Sequence, residues 1–423
     1  MYDSDKNFIA PYRVGAWLPS DQNFLDDWLK KLIAEAEKLA EEAFHPVIKN
    51  FQKFIENDAT AYMLFTQMFD QVPRSAPYNK SPTGKPQVRN YMQMLFLFNY
   101  IMTQAPKYND TGLVGFPINA ILDWSMATEG GFAAFLNEDI NAQFKLMLNE
   151  WAVYLSSAES CDVLNSSPGG WFSPAALSQM PNFVEDFKCD PKLPHYGFTS
   201  WDDFFTREFR DGVRPIADPH DDNIIVNACE SAPYKIARDV KTRDTFWIKG
   251  QPYSLQHMLD NDEYVPHFEN GTVYQAFLSA LKYHRWHSPV AGRVVKTKII
   301  DGTYYSETPY EGVDDAGPNE SQGYITEVAT RAIIYIQADN PAIGLMCFMA
   351  IGMAEVSTCD IRVYEGQRIT KGQQLGMFHF GGSTHCLIFA HDVKLKFDLH
   401  GETPSLEANS IPINSRIATV IGD

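Results

Sequence analysis

The chain has 423 residues, of which 45% are hydrophobic, enough for a substantial core in two domains or one large one. It contains 35 Lys and Arg but 53 Asp and Glu, so its formal net charge is −18. Binding to nucleic acid or to an anionic membrane surface depends on clustered cations. This balance therefore argues against both as partners and favours a small-molecule substrate.

The sequence pattern gives no sign of a targeting or membrane-spanning segment. Residues 1–6 are not a basic segment followed by an apolar run, and they are too acidic for a transit peptide. The most apolar stretches, 94–98 and 344–356, are far shorter than the ~20 residues that span a bilayer. The six cysteines form no CxxC pair, and several lie in apolar surroundings, as free thiols do in a reducing compartment. We therefore expect a cytoplasmic protein without stable membrane association.

The first half of the chain has the apolar spacing of helices. Ser20 could cap a first helix, in which apolar residues recur at helical spacing over 24–36. Further helices are predicted at 88–103, 118–126 and 142–155, and the proline-rich segment 74–86 is predicted to be a loop.

After Pro215 the pattern changes to short β-branched runs separated by Gly and Asp turns. Strands are predicted at 224–226, 293–300, 332–337 and 361–363. We place a boundary near residue 190. The sequence therefore predicts an α+β protein, with a mostly helical N-terminal extension (1–190) followed by a β-rich domain (191–423).

The segment 378–384 reads Phe-His-Phe-Gly-Gly-Ser-Thr. The glycines Gly381 and Gly382 allow backbone torsions that other residues avoid, so Ser383 could approach the carbonyl group that precedes it. A tight turn between two strands explains the same pattern.

The segment 283–289 reads Tyr-His-Arg-Trp-His-Ser-Pro. On a helix, His284 and His287 would share a face and could bind a metal. Pro289 and the strand pattern after it favour an extended segment, in which the two side chains point to opposite faces and have different roles. Each histidine could also be a hydrogen-bonded core residue.

Two other segments carry weaker signals. Glu230 follows the predicted strand 224–226, where a carboxylate could orient a histidine as the acid of a catalytic triad does; a solvated turn is the alternative. The segment 199–209 has the Phe and Trp spacing of an amphipathic helix, for which packing is the default role.

Taken together in chain order, these segments resemble the phosphatidylserine decarboxylase family. The resemblance covers roughly residues 196–423, and it rests on 202–209 with 214–216, 248–255, Glu230, 283–292 and 371–384. The helical extension and the sequence Ala-Cys-Glu-Ser at 228–231 are similar to the soluble fungal branch, which includes L-tryptophan decarboxylases. The lipid enzymes usually have Pro-Ala-Asp-Gly there.

This resemblance implies a pyruvoyl-dependent decarboxylase that cleaves its own chain between Gly382 and Ser383. The products would be chains 1–382 and 383–423, which stay associated because the short chain's strands belong to the sheet. Ser383 would become the pyruvoyl cofactor, whose ketone forms a Schiff base with the substrate amine and accepts the electrons released with CO2.

The same resemblance assigns roles to side chains. His287 would take the proton of the Ser383 hydroxyl, Glu230 would hold the His287 imidazole in the right tautomer, and His284 would return a proton to the substrate carbon. Three neighbours of the cleavage position are expected to help line the substrate pocket: Phe378, His379 and Phe380.

For the substrate, we expect an aromatic L-amino acid, with L-tryptophan first and phosphatidylserine as the alternative. A degenerate relative that only binds its ligand is a third hypothesis. The acidic segment 311–320 could hold calcium, but it matches no EF-hand, and a solvated acidic loop is the favoured explanation. We assign no metal ligands.

Overall fold

The computed structural model describes residues 30–34, 44–72, 88–108, 117–244, 251–279, 281–308, 321–355, 358–380 and 383–421. Of the predicted helix over 24–36, residues 30–34 are described, and they are helical. The rest of that helix, the predicted loop at 74–86 and the acidic segment 311–320 lie outside the described residues.

Helices dominate the described chain before residue 190. They are α1 (Pro46–Asn57), α2 (Ala59–Asp70), α3 (Tyr91–Ile101), α4 (Pro117–Met126), α5 (Glu129–Leu136), α6 (Glu138–Leu155), α7 (Pro174–Gln179) and α8 (Phe183–Asp186). Several of these helices begin at a residue whose side chain accepts a hydrogen bond from the first turn, because the first N–H groups of a helix have no partner within it. Asn90 Oδ1 accepts from Gln93 N at 2.8 Å, and Asn137 Oδ1 accepts from Ile140 N at 3.0 Å. The helices predicted at 88–103, 118–126 and 142–155 are confirmed as α3, α4 and α6.

Strands dominate the described residues of the second half, which also contain four short α-helices. The helices are α9 (Trp201–Phe205), α10 (Leu255–Met258), α11 (Val265–Phe268) and α12 (Gln322–Val328). The strands are β1 (Ile224–Val226), β2 (Ala232–Val240), β3 (Gly271–Leu278), β4 (Arg285–His287), β5 (Gly292–Ile300), β6 (Arg331–Ala338), β7 (Leu345–Gly352), β8 (Thr358–Ile361), β9 (Arg368–Ile369), β10 (Gln374–His379), β11 (Ser383–Phe389), β12 (Leu395–Phe397) and β13 (Arg416–Val420).

Three of the four predicted strands are confirmed, as β1, β5 and β6. The strand predicted at 361–363 is displaced, because β8 ends at Ile361. Its ladder with β10 stops at the pair Gly376–Ile361, next to a shift in the register of β10 against β4. Val363 therefore lies beyond the paired residues.

The strands form three antiparallel sheets. The largest has the order β2-β3-β11-β7-β6-β5-β9, and the smaller ones are β4-β10-β8 and β1-β13-β12. A continuous cluster of buried apolar side chains joins the helices to these sheets. The α+β class is confirmed, and the boundary near residue 190 stays a prediction.

Strand β11 lies inside the largest sheet, between β3 and β7, and all seven of its residues are buried. Its first residue, Ser383, pairs with Leu278 of β3 and Gly352 of β7. The chain enters this buried strand from β10, which belongs to a different sheet. The predicted cleavage position is therefore the crossing from one sheet to the other.

Candidate active site

Ser383 is fully buried at the beginning of β11. Its Oγ makes no hydrogen bond within the described part of the chain. A buried hydroxyl without a partner is costly, and such groups often mark a functional position. Gly382, the other side of the predicted cleavage bond, lies outside the described residues. The position of Ser383 therefore suits a reactive group that must be kept away from water.

Phe380 precedes the two glycines with a φ of +43°. This left-handed conformation is unusual for a bulky side chain. Three rings surround that of Phe380, with centroid distances of 4.8 Å to Trp151, 4.6 Å to Trp201 and 5.9 Å to Phe205. Trp151 belongs to α6, so the helical half of the chain contacts the approach to the cleavage position.

His379 lies between two carboxylates. Its Nδ1 is 3.0 Å from both oxygens of Asp202, and its Nε2 is 3.2 Å from Asp360 Oδ2. Burial acts to lower the pKa of His379, but the hydrogen bonds and charges of the two aspartates outweigh it and raise that pKa above its ordinary value. The two carboxylates therefore favour the protonated form of the ring.

Phe378 is the third predicted pocket residue, and it faces the core. It is fully buried, and its ring centroid lies 5.0 Å from that of Trp286. Neighbouring residues of a strand point to opposite faces, which separates Phe378 from His379. A role of Phe378, His379 and Phe380 in lining the pocket stays a prediction.

His284 lies immediately before β4 and beside the residues that lead to the cleavage position. Its backbone carbonyl oxygen accepts from Phe378 N at 2.9 Å. The imidazole is fully buried and stacks on Phe205 at a centroid distance of 4.1 Å. Its proton-donor role stays a prediction, but it shares its ring neighbour Phe205 with Phe380.

His287 lies at the other end of β4 in a different environment, as expected for an extended segment. Its Nδ1 is 2.8 Å from the Gly372 carbonyl oxygen, and its Nε2 is 2.9 Å from the Tyr283 hydroxyl. A carbonyl oxygen only accepts, so Nδ1 carries the proton and Nε2 accepts from Tyr283. Burial lowers the pKa of His287 to about 4, so the ring is neutral at physiological pH and able to accept a proton.

Glu230 is buried near His287, but it has other partners. Its carboxylate accepts from Arg214 Nη2 at 2.8 Å and from Ile413 N at 2.7 Å. The expected hydrogen bond to His287 is not found among the described residues, because both nitrogens of that ring are occupied. The Gly372 carbonyl holds the imidazole instead, and a catalytic role for Glu230 stays a prediction.

A cleft of about 240 Å³ gives access to this second histidine. His287 and Tyr283 line it together with Arg214 and Gln374. The structure therefore places the predicted residues in two groups. His284 and residues 378–380 lie beside the approach to Ser383. His287 lies at this cleft instead, and Glu230 binds Arg214, which lines it.

Glu355 is a buried carboxylate that was not predicted from the sequence. It follows β7 by three residues, and Gly352 at the end of β7 pairs with Ser383. Its Oε1 accepts from Ile118 N at 2.7 Å and Asn119 N at 2.9 Å, at the beginning of α4. Burial raises the pKa of Glu355 to about 7. A carboxylate at the end of the apolar run 344–356 was the signal available in the sequence.

The sequence also led to no predicted role for three polar residues in the segments that carry the family resemblance: Asp202, Arg207 and Tyr283. Arg207 is buried, and its Nη2 donates to the carbonyl oxygens of Leu281 at 2.6 Å and Lys282 at 3.0 Å. Packing was the role expected for residues 199–209. The rings of Trp201, Phe204 and Phe205 are buried in the core, as packing requires. In addition, Asp202 binds His379 and Arg207 binds the residues just before Tyr283.

No group of three or more His, Cys, Asp and Glu side chains that could hold a metal occurs in the described ranges. Those ranges also contain no helix long and apolar enough to cross a membrane. The calcium hypothesis concerns residues 311–320, which lie outside them, and the cytoplasmic location stays a prediction.

Known proteins similar to this chain include phosphatidylserine decarboxylases and fungal amino-acid decarboxylases. Models of the phosphatidylserine decarboxylase family match residues 45–180 and 201–406. An L-tryptophan decarboxylase of Psilocybe cyanescens is 38% identical over 411 residues, which cover 91% of this chain and 90% of the relative. One from Psilocybe cubensis is also 38% identical, over 82% of this chain and 81% of the relative. The decarboxylase iboD of Amanita muscaria is 42% identical over 301 residues, 67% of this chain and 86% of the relative.

The chain belongs to the phosphatidylserine decarboxylase family and is a carboxy-lyase. Within that family it falls in the branch of the fungal L-tryptophan decarboxylases, so the resemblance drawn from its motifs is confirmed. The similarity to curated enzymes over nearly the full chain also decides against a module that only binds its ligand.

Proposed function

We propose that the chain cleaves itself between Gly382 and Ser383 and then decarboxylates an aromatic L-amino acid, L-tryptophan first. The observation that carries this proposal is the position of Ser383. It begins a buried central strand, its Oγ has no partner within the described ranges, and the left-handed residue Phe380 and two glycines precede it. Several relatives in the same family are named proenzymes, which is consistent with processing of this kind.

Cleavage would proceed in three steps: ester formation, elimination and hydrolysis. Ser383 Oγ attacks the Gly382 carbonyl carbon, the peptide C–N bond breaks, and the hydroxyl proton passes to the freed amine, leaving an ester. Loss of the Ser383 Cα proton then breaks the Cβ–O bond and releases chain 1–382 with a carboxylate end. The remaining dehydroalanine takes up one water and loses ammonia, which leaves a pyruvoyl group at the beginning of chain 383–423.

His287 is the proposed base for the first step. It is neutral, with its Nδ1 proton held by the Gly372 carbonyl, so its Nε2 lone pair can take a proton. That lone pair accepts from the Tyr283 hydroxyl, so a proton reaching His287 would pass through Tyr283.

His284 is the proposed proton donor during turnover. The pyruvoyl ketone supplies an electron sink for the electrons released with CO2, as pyridoxal phosphate does elsewhere. His284 and Phe205 form a stacked pair beside Phe380, so a proton held on this ring would be kept near the reacting carbon and away from water.

The substrate choice rests on two observations. Relatives covering most of the chain are named L-tryptophan decarboxylases, and the rings of Trp151, Trp201 and Phe205 collect beside the cleavage position. Aromatic side chains favour one another at such distances. The family description favours phosphatidylserine as the second candidate.

Two measurements test this proposal. The intact mass of the purified protein should correspond to chains 1–382 and 383–423, with a carbonyl at residue 383 that reacts with hydroxylamine. The protein should release amine from tryptophan, and to a smaller extent from phenylalanine or tyrosine. Release only from phosphatidylserine vesicles would overturn the amino-acid assignment, and a single unreactive chain would overturn the pyruvoyl mechanism.

A further inference from the structure

Residues 201–207, which we call the clamp segment, consist of α9 and the two residues after it. On one side they contact the chain that leads to the cleavage position. The Asp202 carboxylate binds His379 Nδ1 at 3.0 Å, and the Trp201 ring lies 4.6 Å from that of Phe380. The clamp segment therefore contacts two successive residues, both within four positions of Ser383.

On its other side the clamp segment contacts the chain around the first histidine. Phe205 stacks on His284 at 4.1 Å, and buried Arg207 donates to the carbonyl oxygens of Leu281 and Lys282. The clamp segment thus connects two parts of the site. One is the chain that leads to the cleavage bond, and the other is His284, which we propose acts during turnover.

The conformation at Phe380 requires such support. A bulky residue with a φ of +43° is strained, and it keeps that conformation only where its surroundings hold it. The adjacent ion pair is suited to this task, because the His379 and Asp202 side chains are only 24% and 19% exposed. Charge-assisted hydrogen bonds at partly buried positions are stronger than neutral ones and less screened than surface pairs.

We propose that Asp202 is a positioning residue for cleavage of the Gly382–Ser383 bond. By holding His379, it fixes the left-handed turn at Phe380 through which the chain passes from β10 to Ser383. This role rests on the proposed self-cleavage and adds to it a residue that touches neither reacting atom.

The experiment measures the cleavage rate constant of freshly translated full-length chain, by intact mass over time. Asp202→Asn should slow cleavage at least about tenfold, because a misplacement of ~1 Å can cost up to about a hundredfold. Asp202→Glu, which keeps the carboxylate, should restore part of the rate. Asp203→Asn is the matched control, because Asp203 is exposed on the same helix and accepts from Thr199 instead. It should cleave within about twofold of wild type.

His379→Gln removes the same contact from the other side and leaves the clamp segment unchanged. If the two residues act together, the double variant should be no slower than the slower single variant. Equal rates for Asp202→Asn and wild type would overturn the positioning role. So would equal slowing by Asp202→Asn and Asp203→Asn, or additive effects of the two changes at 202 and 379. If Asp202→Asn fails to fold, His379→Gln carries the test. A wild-type chain that never cleaves would instead contradict the proposed function itself.

Discussion

His284 and His287 lie three residues apart, but they have different neighbours. His284 is fully buried against Phe205, whereas His287 lies between Tyr283 and the Gly372 carbonyl at an accessible cleft. Residues at odd spacing in an extended segment face opposite ways, so one short strand can present two imidazoles to two environments. Variants that lack one or the other imidazole should therefore have different functional defects.

We expect His287→Ala to block cleavage and His284→Ala to permit it. Loss of a general base typically costs about 100-fold or more, so the His287 variant should remain largely one chain after purification. The His284 variant should form both chains but release amine at least about 100-fold more slowly than wild type. Intact mass and amine release separate the two effects. Equal loss of cleavage in both variants would contradict this division of roles.

Ser383→Ala should leave one intact chain that releases no amine, because it lacks the oxygen that attacks Gly382. The control is Thr384→Ser, which changes the next residue of β11 but keeps its hydroxyl and its bond to the Ala276 carbonyl oxygen. The control should cleave and turn over. Amine release by the Ser383 variant would show that the electron sink has another origin.

The sequence revealed the site residues that lie in ordered motifs, but it could not reveal their partners. Ser383, His284 and His287 were all found in this way. The group that holds His287 is a backbone carbonyl 85 residues away, and backbone carbonyls leave no mark in a sequence. Glu230 was expected in that place because carboxylates commonly orient histidines, but Arg214 binds it instead.

Helix α4 and strand β7 are joined through the side chain of Glu355. Glu355 follows β7 and accepts hydrogen bonds from the first N–H groups of α4, where a negative charge also suits the helix dipole. Burial nevertheless raises its pKa from 4.5 to about 7, so desolvation outweighs these contacts. The stability of this junction should therefore depend on pH.

The direction in which stability changes with pH follows from the difference between the pKa of Glu355 in the folded and unfolded states. A carboxyl whose pKa is higher in the folded state stabilises the fold below pH 4.5, and this stabilisation is lost as the pH rises through 7. The full effect is about 3 kcal/mol. The free energy of unfolding of wild type, measured relative to Glu355→Gln by urea titration, should thus fall between pH 5 and pH 8. Glu129→Gln, at an exposed position at the beginning of α5, is the control and should give a flat difference. A difference that rises with pH would contradict the assigned sign.

The elements themselves could be predicted where apolar spacing is long and regular, as in α3 and α6. Helices α1 and α2 show the same spacing, so the sequence predicts them equally well. In α2 the buried residues include Leu64, Phe65, Met68 and Phe69. Strand β8 was misplaced for another reason. Its end is set by its pairing with β10, and that pairing depends on a register shift that local composition does not encode.

The proposed cleavage would divide the largest sheet between two chains. Chain 383–423 would contain β11, β12 and β13. Strand β11 would remain hydrogen bonded to β3 on one side and β7 on the other, and β13 would remain paired with β1. A cut at the beginning of a central strand removes no ladder bond from the middle of the sheet.

We therefore expect the two chains to separate only when the whole protein unfolds. Because every residue of β11 is buried, withdrawing it would open the core on both sides of the sheet. In a urea series, loss of chain 383–423 on gel filtration should follow the unfolding transition seen by circular dichroism. Native mass should show the two chains together below that transition. Release of the short chain at urea concentrations where the fold is intact would mean that β11 is held less tightly than its central position requires. Uncleaved Ser383→Ala supplies the reference transition, and a similar midpoint for the cleaved protein would show that β3 and β7, rather than the peptide bond, hold the short chain in place.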